Sequence, residues 1–130
     1  MARILVIEDN RTNLDLILYL LRAFGHEPTG ITDPAAALET ARTGEFDAIM
    51  SDILMPGIDG FSLAGAFRAE PQFQNKPLIA VTALAMAGDR ERILRAGFNG
   101  YISKPIDPVT FVSQVNTILS EGRDGNDSDR

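Results

Sequence analysis

The chain reads as a doubly wound parallel α/β sheet, and three observations predict it. Short apolar runs recur along the sequence, Ile4-Leu5-Val6-Ile7 and Ala48-Ile49-Met50 foremost, as strands buried on both faces do. Strand-like and helix-like segments alternate five times at an interval suited to βα units. Polar, chemically capable residues follow the apolar runs abruptly, where open α/β sheets keep their sites.

Taken in order, the strand from Arg3 to Glu8 leads to Asn10 or Thr12, either of which can cap a helix. That helix carries Leu14, Ile17, Leu18 and Leu21 at helical spacing, and Gly25 ends it. A weak strand near Glu27 to Ile31 contains Pro28 and Gly30, which suits a sheet edge. Asp33 caps an Ala-rich helix with Pro34 at its first position, closed by Gly44. The central strand Asp47 to Ser51 runs into Asp52, and Pro56-Gly57 suits a type II turn whose glycine supplies the positive φ. Asp59 caps a helix from Gly60 to about Glu70, and Pro71 through Pro77 is a loop. Leu78 to Val81 form the fourth strand, ending at Thr82. A helix near Met86 to Ala96 follows and stops at Gly97. The last strand, near Tyr101-Ile102, ends in Ser103-Lys104-Pro105. Asp107-Pro108 opens a final helix bearing Val109, Val112, Val115, Ile118 and Leu119.

With 130 residues and 45% hydrophobic content, the chain fits one domain, assigned to residues 1–120. The segment 121–130 is polar, with nothing to bury, and is expected to be a disordered tail. There is no cysteine, so disulfides and thiolate metal sites are excluded. No apolar run approaches a membrane span, and Met1-Ala2-Arg3 leads into a strand rather than a signal peptide, compatible with a cytoplasmic location. A net charge of −6 and a pI near 4.6 argue against direct contact with nucleic acid or anionic membrane. Proteins, small ions and phosphorylated donors are the expected partners.

If the first and third strands are neighbours, Glu8, Asp9 and Asp52 converge. Like charges about 4 Å apart repel by roughly 4 kcal/mol at an effective dielectric near 20, so such a cluster calls for a cation. Thr82 and Lys104 end two further strands. Carboxylates, a hydroxyl and an ammonium around one rim suit phosphoryl transfer: the acids hold a hard cation such as Mg2+, and lysine and hydroxyl donors neutralise phosphoryl oxygens. A carboxylate can itself be the nucleophile. His26 reads as a surface residue and the methionines as core or loop filler.

The motifs IEDN (7–10), SDILMPGIDG (51–60), VTALAM (81–86) and YISKPI (101–106) occur in order and at matching intervals. Through them residues 3 to 120 resemble the receiver domain of bacterial two-component response regulators. The resemblance implies a flavodoxin-like sheet of order 2-1-3-4-5 with five helices. It implies Asp52 as phosphoacceptor, charged by a histidine kinase or histidine phosphotransfer protein. Asp9, Asp52 and the backbone carbonyl of Leu54 would bind Mg2+ directly, with Glu8 acting through water. Lys104 would pair with phosphoryl oxygens and precede a cis proline bond. Thr82 would hydrogen-bond the phosphoryl group, Tyr101 would switch rotamer with it, and small Ala83 would leave room for the donor.

The expected output is a changed protein-binding face of the fourth helix, last strand and last helix. Such a domain is a signalling module that promotes its own phosphorylation and dephosphorylation rather than an enzyme. Leu54 and Leu84 stand two positions beyond Asp52 and Thr82, where family members vary. Two apolar groups there cannot orient an attacking water, so a persistent phosphoryl group is expected.

Three readings compete. One is a pseudo-receiver that acts as a binding module without phosphorylation. A flavin mononucleotide carrier would need an anion-friendly loop where Glu8-Asp9 stand. A dehalogenase-type phosphatase typically has a second aspartate where this chain has Leu54. The absence of a DNA-binding segment after residue 120 points to output by protein contact, and Met1 with the polar end favours a stand-alone chain over a piece of a larger regulator or hybrid kinase.

Overall fold

A computed structural model describes residues 2–83 and 88–126, and the side chains of 2–83 and 88–121. Its elements, in order, are β1 (Arg3–Ile7), α1 (Arg11–Ala23), β2 (Glu27–Ile31), a 3-10 turn (Pro34–Ala36), α2 (Ala37–Thr43), β3 (Ala48–Asp52), β4 (Leu54–Met55), β5 (Ile58–Asp59), α3 (Gly60–Arg68), a 3-10 turn (Pro71–Phe73), β6 (Leu78–Thr82), α4 (Asp89–Ala96), β7 (Gly100–Ser103) and α5 (Phe111–Asn126). The main sheet is parallel, in the order β2-β1-β3-β6-β7. Counting its five strands alone, that is 2-1-3-4-5, so β1 and β3 are neighbours and β2 lies at an edge.

Alternate residues of each strand feed two cores. Ile4, Val6, Met50, Ile79, Val81 and Ile102 pack beneath α1 and α5. On the opposite face Leu5, Ile7, Ile49, Leu78 and Ala80 meet α2, α3 and α4, with Phe67 and Phe73 edge to face at 5.3 Å. Because β3 and β6 are covered on both faces, every residue of each is buried, which is why they read as unbroken apolar runs.

The helix starts follow the sequence. Asn10 accepts from the Asn13 N–H, Asp33 from Ala35 and Asp59 from Phe61, each freeing the helix of an orphan donor. Gly25 and Gly97 end their helices with φ of 92° and 117°, and Gly57 has φ 80° in its turn. That turn closes a small antiparallel β4–β5 pair, which strand periodicity cannot reveal in segments of two residues. Gly60 lets α3 start against β3: a Cβ there would sit 2.4 Å from the Ile53 Cα.

Some expectations need correction. α5 begins at Phe111, not Asp107, because Asp107 takes the Val109 N–H with its side chain and the Thr110 and Phe111 N–H groups with its carbonyl. Val109 therefore precedes the helix and is 88% exposed rather than part of its buried stripe. α5 also continues to Asn126, into the segment expected to be a disordered tail. Extending a helix that already exists costs far less than nucleating one, so weak helix formers are carried along. The start expected for the fourth helix, at Met86, lies outside the described residues.

His26 is buried, not a surface residue. Its Nδ1 accepts from the Ala2 N–H at 3.0 Å and its Nε2 lies 2.8 Å from the Asn116 Oδ1. The neutral tautomer with the proton on Nε2 satisfies both bonds and ties the start of the chain to α5.

Candidate functional site

The parallel register brings the carboxyl ends of β1 and β3 to one rim. Ile7 lies opposite Ser51, so Glu8 and Asp9, just past β1, and Asp52, ending β3, meet there. Carboxylate oxygens of Glu8, Asp9 and Asp52 lie within 4.8 Å of one another. Glu8 and Asp52 are buried, and Asp9 is half-buried.

Lys104, one residue past β7, reaches across the rim. Its Nζ donates to the Asp52 Oδ2 at 2.9 Å and lies 3.0 Å from the Glu8 Oε1. The Lys104 N–H bonds the Thr82 carbonyl at 2.8 Å, which extends the ladder and fixes where the side chain departs. The Lys104-Pro105 bond is cis, as the resemblance implies.

The remaining oxygens of the buried acids are held by backbone. Asp52 Oδ1 accepts from the Leu54 N–H at 3.1 Å, and Glu8 Oε2 from the Asn10 N–H at 3.1 Å. Glu8 Oε1 faces the ammonium without the alignment of a hydrogen bond. Burial pushes the Glu8 carboxyl up to about 7, against the pull of Lys104 and the Asn10 N–H, and the charge of Asp52 adds to the rise. At Lys104, burial disfavours the ammonium, but the hydrogen bond to Asp52 and the adjoining Glu8 carboxylate outweigh it and raise the lysine above its ordinary value. Two acids share one base, and the acid behind is only partly compensated.

Thr82 is fully buried at the end of β6. It shares strand parity with Ala80, which pairs with Tyr101, and Tyr101 packs half-buried against the core cluster containing Ala80. Thr82 and Tyr101 thus stand on the α3–α4 face of the sheet. Leu54 is 54% exposed beside the acids. Ala83 is exposed next to Thr82, and Leu84 lies outside the described residues. Sequence reasoning missed the burial of Glu8 under Lys104; the signal available was the unbroken apolar run leading to it.

The donor set suits a hard divalent cation: oxygen ligands only, three of them carboxylates at one rim, with one buried oxygen lacking an aligned partner. Among known proteins, the sequence profile of the response regulator receiver domain matches residues 4–116. This chain belongs to that family. A curated relative, the polar-differentiation response regulator DivK of Brucella anthropi, is 35% identical over 118 residues, covering 91% of this chain and 96% of its own. The chemotaxis response regulator CheY4 of Vibrio cholerae superposes with a TM-score of 0.86 at 27% identity, covering 92% of this chain and 99% of its own. The receiver domain of a sensor histidine kinase from Pseudomonas aeruginosa, solved with magnesium in its active-site cleft, gives 0.79 at 35% identity, covering 94% and 97%.

As a receiver domain, the chain is a module of two-component signalling, a family whose members bind Mg2+ at an acidic pocket and interact with histidine kinases and downstream targets. No described helix is long and apolar enough to cross a membrane.

Proposed function

We propose that this receiver domain accepts a phosphoryl group on Asp52 from a histidine kinase or histidine phosphotransfer protein, with Mg2+ required. The observation that carries the proposal is the buried Asp52 carboxylate, held 2.9 Å from Lys104 beside Glu8 and Asp9.

A carboxylate oxygen of Asp52 attacks phosphorus, the bond to the donor nitrogen breaks, and the leaving imidazole regains its electron pair. The Leu54 N–H and Lys104 orient the carboxylate before attack. Afterwards Lys104 is placed to follow the new negative charge, and Thr82 to donate its hydroxyl to a phosphoryl oxygen. Asp9, Asp52 and the Leu54 carbonyl would hold Mg2+, with Glu8 behind them acting through water. When bound, the cation supplies charge neutralisation of the phosphoryl oxygens.

Tyr101 then follows Thr82, and the face of α4, β7 and α5 shifts its population toward a second arrangement, by no more than the differential fit of the phosphoryl group allows. The output is protein contact in the cytoplasm.

Incubation with Mg2+ and acetyl phosphate, read by intact mass, tests this. Wild type is expected to gain a phosphate-sized increment and Asp52→Asn none. An equal increment on both moves the acceptor elsewhere, and none on either leaves the binding-module reading.

A further inference from the structure

Asp59 follows the acidic site in sequence without joining it: the three carboxylates that converge, among the described residues, are those of Glu8, Asp9 and Asp52. The Asp59 side chain is exposed and spent on α3. Its Oδ1 accepts from the Phe61 N–H at 2.9 Å, and the Ser62 hydroxyl lies 3.5 Å from its Oδ2. Its backbone is spent on the acceptor loop, where Asp59 pairs with Leu54 across the β4–β5 turn.

That pairing decides where the Leu54 backbone points. In an antiparallel ladder the N–H and C=O of one residue face the same side, either toward the partner strand or away from it. The Leu54 N–H is given to the Asp52 Oδ1 at 3.1 Å, so it faces away from β5. The Leu54 carbonyl faces away with it, on the side where Asp52 lies.

Strands of two residues do not hold themselves in place, so the pair needs a fixed end. The start of α3 supplies it. The Gly60 N–H bonds the Ile53 carbonyl at 3.0 Å, and a Cβ on Gly60 would stand 2.9 Å from the Asp52 carbonyl oxygen. The helix start therefore abuts the end of β3, and a shift of one is felt by the other. Resting on Asp52 as the phosphoacceptor, we infer that Asp59 is a positioning residue for the site. By starting α3 it fixes the Leu54 N–H that orients Asp52 and the Leu54 carbonyl offered to Mg2+, while its own carboxylate stays on the helix.

Mg2+ titration calorimetry of the unphosphorylated full chain, beside acetyl phosphate labelling read by intact mass, tests this. Asp59→Ala removes the acceptor of the Phe61 N–H and should raise the Mg2+ dissociation constant about tenfold, the low end of what orienting partners of ligands contribute. Labelling at saturating Mg2+ should slow in the same variant. Asp59→Asn loses the charge but keeps an acceptor oxygen suited to a helix start, and should bind Mg2+ as wild type does. Asp33→Ala loses the same charge and the same kind of bond, from the Ala35 N–H. It should lower the melting temperature as Asp59→Ala does and leave Mg2+ affinity at the wild-type value. Equal Mg2+ affinity in wild type and Asp59→Ala overturns the inference. Equal weakening by Asp59→Asn or by Asp33→Ala also overturns it, reducing the effect to charge or to lost stability. A wild type that binds no Mg2+ overturns both this inference and the acceptor reading. A wild type that binds Mg2+ in the expected pattern yet gains no phosphoryl group sinks the acceptor reading alone and leaves Asp59 positioning a cation site.

Discussion

Lys104 lies between two buried carboxylates, and it serves them unequally: Asp52 receives an aligned hydrogen bond, Glu8 only proximity. Neutralising Glu8 by Glu8→Gln should therefore raise thermal stability in metal-free buffer by roughly 1 kcal/mol, a few degrees for a domain of this size. The same change should weaken Mg2+ binding. Calorimetric melts with chelator, beside a Mg2+ titration, check both; a lowered melting temperature would show that Lys104 satisfies Glu8 fully. At Leu54, more than half exposed beside the acceptor, no side-chain group can orient water. Changing Leu54 to Asn and Leu84 to Glu should speed loss of the phosphoryl group several-fold, measured as decay of the phosphorylated mass after the donor is removed. Unchanged or slower decay would refute a part for these side chains in its lifetime.

Among the elements, what could be read beforehand was what local chemistry decides. Asn10, Asp33 and Asp59 cap their helices because an acceptor side chain at a helix start has few better uses. What could not be read was decided by distant partners. His26 finds Ala2 at a separation of 24 residues and Asn116 at 90, and no periodicity of the segment around it encodes either. Replacing His26 by Ala should cost about 2 kcal/mol, two hydrogen bonds and some packing, seen as a lower midpoint in urea. Arg68 was equally silent in the sequence. Its guanidinium collects the carbonyls of Phe73, Lys76 and Gly97 and the side chain of Asn99, fastening α3 to the end of α4 and to the approach to β6.

For the whole molecule, the alternation of segments foretold a parallel sheet with helices on both faces. The strand order came from resemblance alone, because apolar runs carry no record of which run they lie beside. The acidic site was legible because it depends on only one adjacency, β1 next to β3, which brings Glu8 and Asp9 to Asp52. The domain boundary at residue 120 is a proposal with its own test. Among the α5 residues whose side chains are described, Ile118 is the last buried one, so ending the chain at Ser120 should leave thermal stability within about 1 kcal/mol, although α5 continues to Asn126. A larger loss would make the final turns part of the domain.

One ammonium between two acids also ties two binding events together. Whatever anion draws Lys104 toward itself strips Glu8 and Asp52 of their shared counter-charge, and the vacated negative field then favours a divalent ion more strongly. By thermodynamic reciprocity the ion must strengthen the hold on the anion by the same factor, whichever arrives first.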